Sequence, residues 1–351
     1  MPIALLDRRA RRLVPLLLGV LLSGCASLDY YAQVSRGQLE LLAAHQPVAE
    51  LLADPQTEPK LQQRLALAQQ ARDFASAELA LPDNRSYRLY ADLRRPYVVW
   101  NVFATPELSL APLTHCFPIA GCVAYRGFYQ QGRARGAAAL LQVEGMDTYV
   151  AGIEAYSTLG WFDDPILNTM LRWDDEHLAA VIFHELAHQQ LYVADDTAFN
   201  ESFASFVEQE GLRQWRVARG LPAADAHQER QRRQFTELIL ASRERLQALY
   251  AGPLDAAQKR VGKAAEFERL RADYRTLRDA QWGGDRRYDA WMAQPLNNAR
   301  LLPFGLYDQW VEAFAALFQR ADGDWREFYR RAAEIGRLPA VERERALAAL
   351  L

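Results

Sequence analysis

The chain has 351 residues, half of them apolar, and a formal net charge of −3 at neutral pH. That length supports one large domain or two packed subdomains around a sizeable core. The lack of a basic excess argues against a nucleic-acid-binding protein.

The amino-terminal elements are a basic segment, DRRARR (7–12), a short apolar run, LVPLLLGVLL (13–22), and LSGC (22–25). The run is too short for a stable membrane span, so residues 1–24 read as a secretion signal. LSGC resembles a bacterial lipobox, which implies cleavage before Cys25 and lipid on its thiol and new amino terminus. Ala26, where Asp would signal retention, resembles lipoproteins sorted to an outer membrane. An ordinary signal peptide with an incidental cysteine is the competing reading. Removing 1–24 takes away four arginines and one aspartate, which moves the net charge from −3 to −6. The expected product is a lipid-anchored, periplasm-facing protein of the cell envelope.

Residues 28–80 show apolar positions three and four apart and read as helices, interrupted by the breaker DPQTEP (54–59). YVVWNVFA (97–104) and CVAYRGFY (122–129) read as strands, rich in β-branched and aromatic residues. GRARGAAALLQVEG (132–145) reads as a short helix and DTYVAGIEAY (147–156) as a third strand. Between the first two strands lie Cys116 and Cys122, in HCFPIAGCVAY. Pro118 and Gly121 allow the chain to turn back between them, and an oxidising compartment favours a disulfide. Two buried free thiols, or a metal pair with His115, are the alternatives.

WDDEHLAAVIFHELAHQQLYV (173–193) reads as one helix, with Asp174 and Asp175 at its start. On it, His184 and His188 are four residues apart and point the same way, so both imidazoles can bind one cation. Glu185 points beside that cation, where it can act as general base. After a turn around Asp195, Asp196 and Thr197, AFNESFASFVEQEG (198–211) reads as a second helix. Glu201 is expected in its first turn as third ligand, with Glu208 the runner-up; a first-turn dipole carboxylate is the plainer reading of Glu201. Phe199, Phe203 and Phe206 are expected to pack the two helices together. Beyond residue 211 the pattern is helical: 227–252 and 256–280 read as a long hairpin, and 297–321 as a polar loop leading into a core helix. His177 and His227 read as surface histidines.

The HExxH-plus-Glu arrangement resembles the gluzincin metallopeptidases. An Asp that follows the third ligand by four residues in many of them is Ser205 here, so Glu208 or Asp195 is expected to orient a ligand instead. CFPIAGCVAYRGF (116–128), AYSTLGWFDDPIL (155–167), HELAHQQLYVADDTAFNESFASFVEQEG, NNARL and Tyr307 are similar to a family of bacterial lipoproteins described as zinc-dependent aminopeptidases. That resemblance covers almost all the mature chain.

It implies an α+β, predominantly helical fold: a zincin-like metallopeptidase core with a small sheet and a large helical subdomain. The expected organisation is a signal peptide (1–24), an N-terminal helical segment (25–96), a catalytic core (97–220) and a cleft-closing helical subdomain (221–351). One Zn2+ is expected on His184, His188 and Glu201, with Glu185 as base and then acid in peptide hydrolysis. The strand at 147–156 could shelve the peptide, or be an ordinary core strand. Tyr307 is the chosen oxyanion donor, with core packing as its alternative. Glu154, Asp163 and Asp164 are candidate amine anchors, and Asn297 and Asn298 candidate substrate contacts or helix caps. A metallo-endopeptidase acting on envelope proteins and a non-catalytic envelope scaffold are the rival functions.

Overall fold

The computed structural model describes residues 28–117, 121–155, 157–223, 225–307 and 309–351, the side chains of 305–307 and of Ala226 excepted. The signal segment, the lipobox and Cys25 lie outside the described residues. The chain divides into two compact units after His45. The first contributes helix α1 (28–43), on which Tyr30 and Leu41 are buried. A short strand, β1 (His45–Pro47), marks the junction.

The second unit opens with α2 (Val48–Ala53) and α3 (Pro59–Ala77), separated by the expected breaker; Pro59 sits at the start of α3, where its missing N–H costs nothing. Strand β2 (Leu89–Ala91) pairs in parallel with the distant β8 (Ile166–Leu167). The main sheet has the order β6-β3-β7, all antiparallel, with β3 (Val99–Pro106) central, β6 (Tyr125–Phe128) on one side and β7 (Met146–Ile153) on the other. Side chains alternate across a strand. On one face Thr148 meets Gln142 of α4 (Gln131–Val143). On the other, Phe103, Tyr149 and Ala151 pack with Ala299 and Leu302 of α10 (Asn298–Tyr307).

The expected single strand at 122–129 is two strands. β5 (Gly121–Val123) turns back onto β4 (His115–Phe117), and only β6 joins the main sheet. Cys116 and Cys122 are cross-strand partners in that hairpin and form the expected disulfide. Neither alternative for these cysteines therefore applies.

Past a 3-10 turn (Met170–Arg172), α5 (Asp175–Gln190) starts at Asp174, whose side chain accepts the His177 N–H at 2.8 Å. α6 (Thr197–Ala218) runs back along it, capped by Asp196. The connecting turn is closed by Asn200, which accepts from Val193 N–H at 2.8 Å and donates to Val193 O at 2.7 Å. Gly211 lets the helices approach: a Cβ there would lie 2.7 Å from Leu79 Cδ1 and 3.1 Å from Phe183 Cδ2.

Phe199, Phe203 and Phe206 do not pack α6 onto α5 as expected. Their ring partners are Phe314 and Phe318 of α11 (Val311–Gln319) and Phe328 of α12 (Trp325–Gly336). α6 is thus sandwiched, its Glu201 and Glu208 side turned to α5 and its aromatic side to the C-terminal helices. The long hairpin is α7 (Ala226–Ala251) and α8 (Ala256–Gln281), joined through a capping box at Asp255. Its core, around Phe235, Ile239, Leu246 and Leu270, extends to Met292 of α9 (Asp289–Met292) and Leu301 of α10. α13 (Ala340–Ala348) ends the chain. The fold is predominantly helical with small sheets, in line with the sequence pattern.

Candidate metal centre

His184 and His188 lie one turn apart on α5, with ring centroids 4.8 Å apart. α6 starts at Thr197, so Glu201 lies in its second turn rather than its first, and the dipole reading of this carboxylate loses its basis. Instead Glu201 Oε2 stands 3.4 Å from His184 Nε2 and 3.7 Å from His188 Nε2. One ligand atom from each of the three falls within 4.8 Å of the others. Donors bonded tetrahedrally at about 2.0–2.2 Å sit about 3.3–3.6 Å from one another. Two imidazoles and one carboxylate at these separations therefore fit a small divalent cation with a coordination position to spare.

The antiparallel pairing of α5 and α6 sets a second carboxylate behind the first ring. His184 Nδ1 lies 2.9 Å from Glu208 Oε2; a proton donated there leaves the Nε2 lone pair facing Glu201. Of the two carboxylates expected to share this role, Glu208 takes it. Asp195 accepts the Cys122 N–H at 2.7 Å instead, tying the disulfide hairpin to the α5–α6 turn. That turn puts Asp195 at φ 66°.

The electrostatics couple these groups closely. Burial opposes the charged His184, but hydrogen bonds to Glu201 and Glu208 hold its pKa well above the usual imidazole range. Burial also opposes ionised Glu201, yet the His188 and His184 charges and hydrogen bonds bring it down to about 2. Glu208 is lowered as well, burial being outweighed by His184. Glu185 goes the other way: its burial raises it, against the pull of His184 and His188. A carboxylate of raised proton affinity beside two imidazoles is suited to take and return a proton.

The other expected site residues mostly have structural partners. Glu154 accepts from Trp173 Nε1 at 2.5 Å and Arg172 Nη2 at 2.9 Å, which braces the 3-10 turn. Asp164 is buried and accepts from Thr158, Ser157 and Gln189, fastening the 157–164 segment to α5 beside His188; burial raises its pKa. Asp163 lies 3.4 Å from Arg85 Nε at the surface. Asn297 accepts the Arg300 N–H, and Asn298 donates to Glu107 O and Ser109 O. Asn297 thus serves as a helix cap, while Asn298 pins α10 to the loop after β3. His177 and His227 are exposed.

Tyr307 ends α10, and its side chain lies outside the described residues. The segment after it meets α6 close to the centre: Trp310 N–H donates to Ser202 Oγ at 3.1 Å. A phenol beside His188 escaped the sequence reading. Tyr192 presents its ring to His188 at 6.5 Å between centroids, and burial together with the Glu201 and Asp195 charges raises its pKa. The sequence reading ran the helix to residue 193, on which Tyr192 falls four residues after His188, whereas α5 ends at Gln190.

A family model described as "Putative aminopeptidase" matches residues 29–347. Searches of curated proteins and of solved structures returned no match.

Proposed function

The chain belongs to this aminopeptidase family, and we propose that it is a zinc-dependent peptidase that removes residues from the amino end of peptides. The observation that supports the metal-dependent reading is the convergence of His184, His188 and Glu201 beside the buried Glu185. His184, His188 and Glu201 would hold one Zn2+, which when bound supplies Lewis-acid polarisation and lowers the pKa of a water. Glu185 then accepts the proton of the attacking water and delivers it to the departing amine nitrogen. Glu208 holds the His184 ring in the tautomer and orientation that binding requires. Tyr307 or Tyr192 would donate to the developing oxyanion. Lipid on Cys25 would tether the protein to the outer membrane, facing the periplasm.

The engagement of Glu154 and Asp164 elsewhere favours one second reading, a metallo-endopeptidase, which needs no carboxylate for a free amine. Comparing a peptide with its N-acetylated form separates the two: an aminopeptidase cleaves only the free amine. The shared chemistry is tested by Glu185→Gln. It should retain one metal per chain and lose activity by about 10²–10⁴-fold; unaltered turnover would remove Glu185 from the mechanism.

A further inference from the structure

In the order β6-β3-β7, no strand flanks the outer edge of β7 among the described residues. A cavity of about 380 Å3 lies there, lined by Thr148 and Tyr149 of the strand, Arg135 and Gln142 of α4, and Asn297 and Arg300. Thr148 faces α4 and Tyr149 faces α10. A cavity touching both must open on the strand's edge rather than over either face. Asn297 Nδ2 donates to Thr148 O at 2.9 Å, so Thr148 turns its main chain outward with its carbonyl taken, and two residues on the main-chain groups of Val150 point into the cavity.

Arg300 is the unusual group. It is 9% exposed, with its guanidinium 4.7 Å from the Trp291 ring centroid and 5.1 Å from that of Tyr149. Its side chain makes one hydrogen bond, Nη2 to Trp291 O at 3.1 Å, and its buried Nε has no partner. Among the described residues no acid lines the cavity. Arg72 shows what a purely structural buried arginine looks like here: it donates to Ser86 O, Pro82 O and Asn84 O at 2.8–3.0 Å and also bonds Ser76. A buried cation with unused donors, beside an acid-free cavity, is a site for an anion.

We propose that Arg300, with Arg135 at the rim, binds the C-terminal carboxylate of a short peptide laid along the edge of β7. The proposal rests on the peptidase reading for the peptide's other end. β7 leads into the segment that Asp164 fastens beside His188, and α10 leads to the contact with Ser202 beside Glu201. Both elements therefore run from Arg300 towards the metal centre. The strand from Thr148 to Ile153 covers about 17 Å, and the helix from Arg300 to Tyr307 about 10 Å. An extended chain at about 3.3 Å per residue runs the length of these elements with three to five residues. The occupant is therefore a short peptide of several residues.

The test is calorimetric binding to the full-length, zinc-loaded chain carrying Glu185→Gln, using a pentapeptide with a free carboxylate and the same peptide as its amide. The acid should bind about tenfold to hundredfold more tightly, and adding Arg300→Gln should bring the two within about twofold. Arg300→Lys, which retains a cation in the same packing, should give an intermediate ratio and covers the case in which Arg300→Gln fails to fold. Equal affinity of acid and amide, or a ratio that survives Arg300→Gln, overturns the proposal. Turnover by the parent chain is scored separately. A chain that discriminates but never cleaves keeps this site and loses the peptidase reading. One that cleaves but does not discriminate loses the site alone.

Discussion

His184 joins two carboxylates with one ring: Nε2 faces Glu201 at 3.4 Å and Nδ1 faces Glu208 at 2.9 Å. Replacing Glu208 by Gln leaves a hydrogen-bond partner but removes the charge, so metal affinity should fall about 10–100-fold. Chelator competition measures this, and an unchanged affinity would show that Glu208 only fills space. The convergence of the two histidines was legible from spacing alone, because four residues on a helix fix a shared face. Glu201 was chosen over Glu208 as third ligand, and the structure groups it with the two histidines. Seven residues apart, both face α5, and only the antiparallel offset of the helices decides which meets the Nε2 atoms. Of the two roles offered for Asn297 and Asn298, the helix cap holds for Asn297; their bonds to β7 and to the loop after β3 were not legible, since those partners are distant in sequence.

At the scale of elements, the α5–α6 turn is fixed from outside by the disulfide hairpin. Gly121 has φ 70°, and a Cβ there would lie 2.6 Å from Asp195 Oδ1. Gly121→Ala should therefore cost about 1–3 kcal/mol, read as a lower denaturation midpoint; an unshifted midpoint would mean the hairpin does not press on the turn. The turn back between the cysteines was legible, but the division of 122–129 into β5 and β6 was not, because CVAYRGFY has an unbroken strand-like composition and its division comes from pairing with two different partners. Helix α12 offers a pH test. Glu327 is held down at about 2 by hydrogen bonds from Arg330 and Arg331. A depressed carboxylate stabilises the fold above its unfolded value of about 4.5, and that contribution is lost as pH falls towards 2. The melting temperature should therefore drop less over that range in Glu327→Gln than in the parent, by a small margin because the pair is exposed. Identical acid profiles would contradict it.

Across the whole molecule, two hydrophobic assemblies flank the site region: aromatic rings joining α6 to α11 and α12, and the α7–α8 core that reaches α10 through Leu301. Leu270 is fully buried in the second. Leu270→Ala should cost about 2–5 kcal/mol, measured by denaturant unfolding, and a cost near zero would mean that this core is loosely packed. The long hairpin was legible to within a residue because AGPLD and an acidic cap punctuate it. The break between α10 and α11, and the turning of the α6 phenylalanines away from α5, were not, because periodicity marks a buried face without naming what buries it. What the whole fold does is to bring α5 and α6 together so that three side chains converge where they could hold one cation. Diffraction from zinc-loaded crystals, recorded at the zinc absorption edge, tests this most directly. The account predicts one anomalous peak bonded to His184 Nε2, His188 Nε2 and the Glu201 carboxylate; a peak elsewhere, or one that Glu201 does not reach, would contradict it.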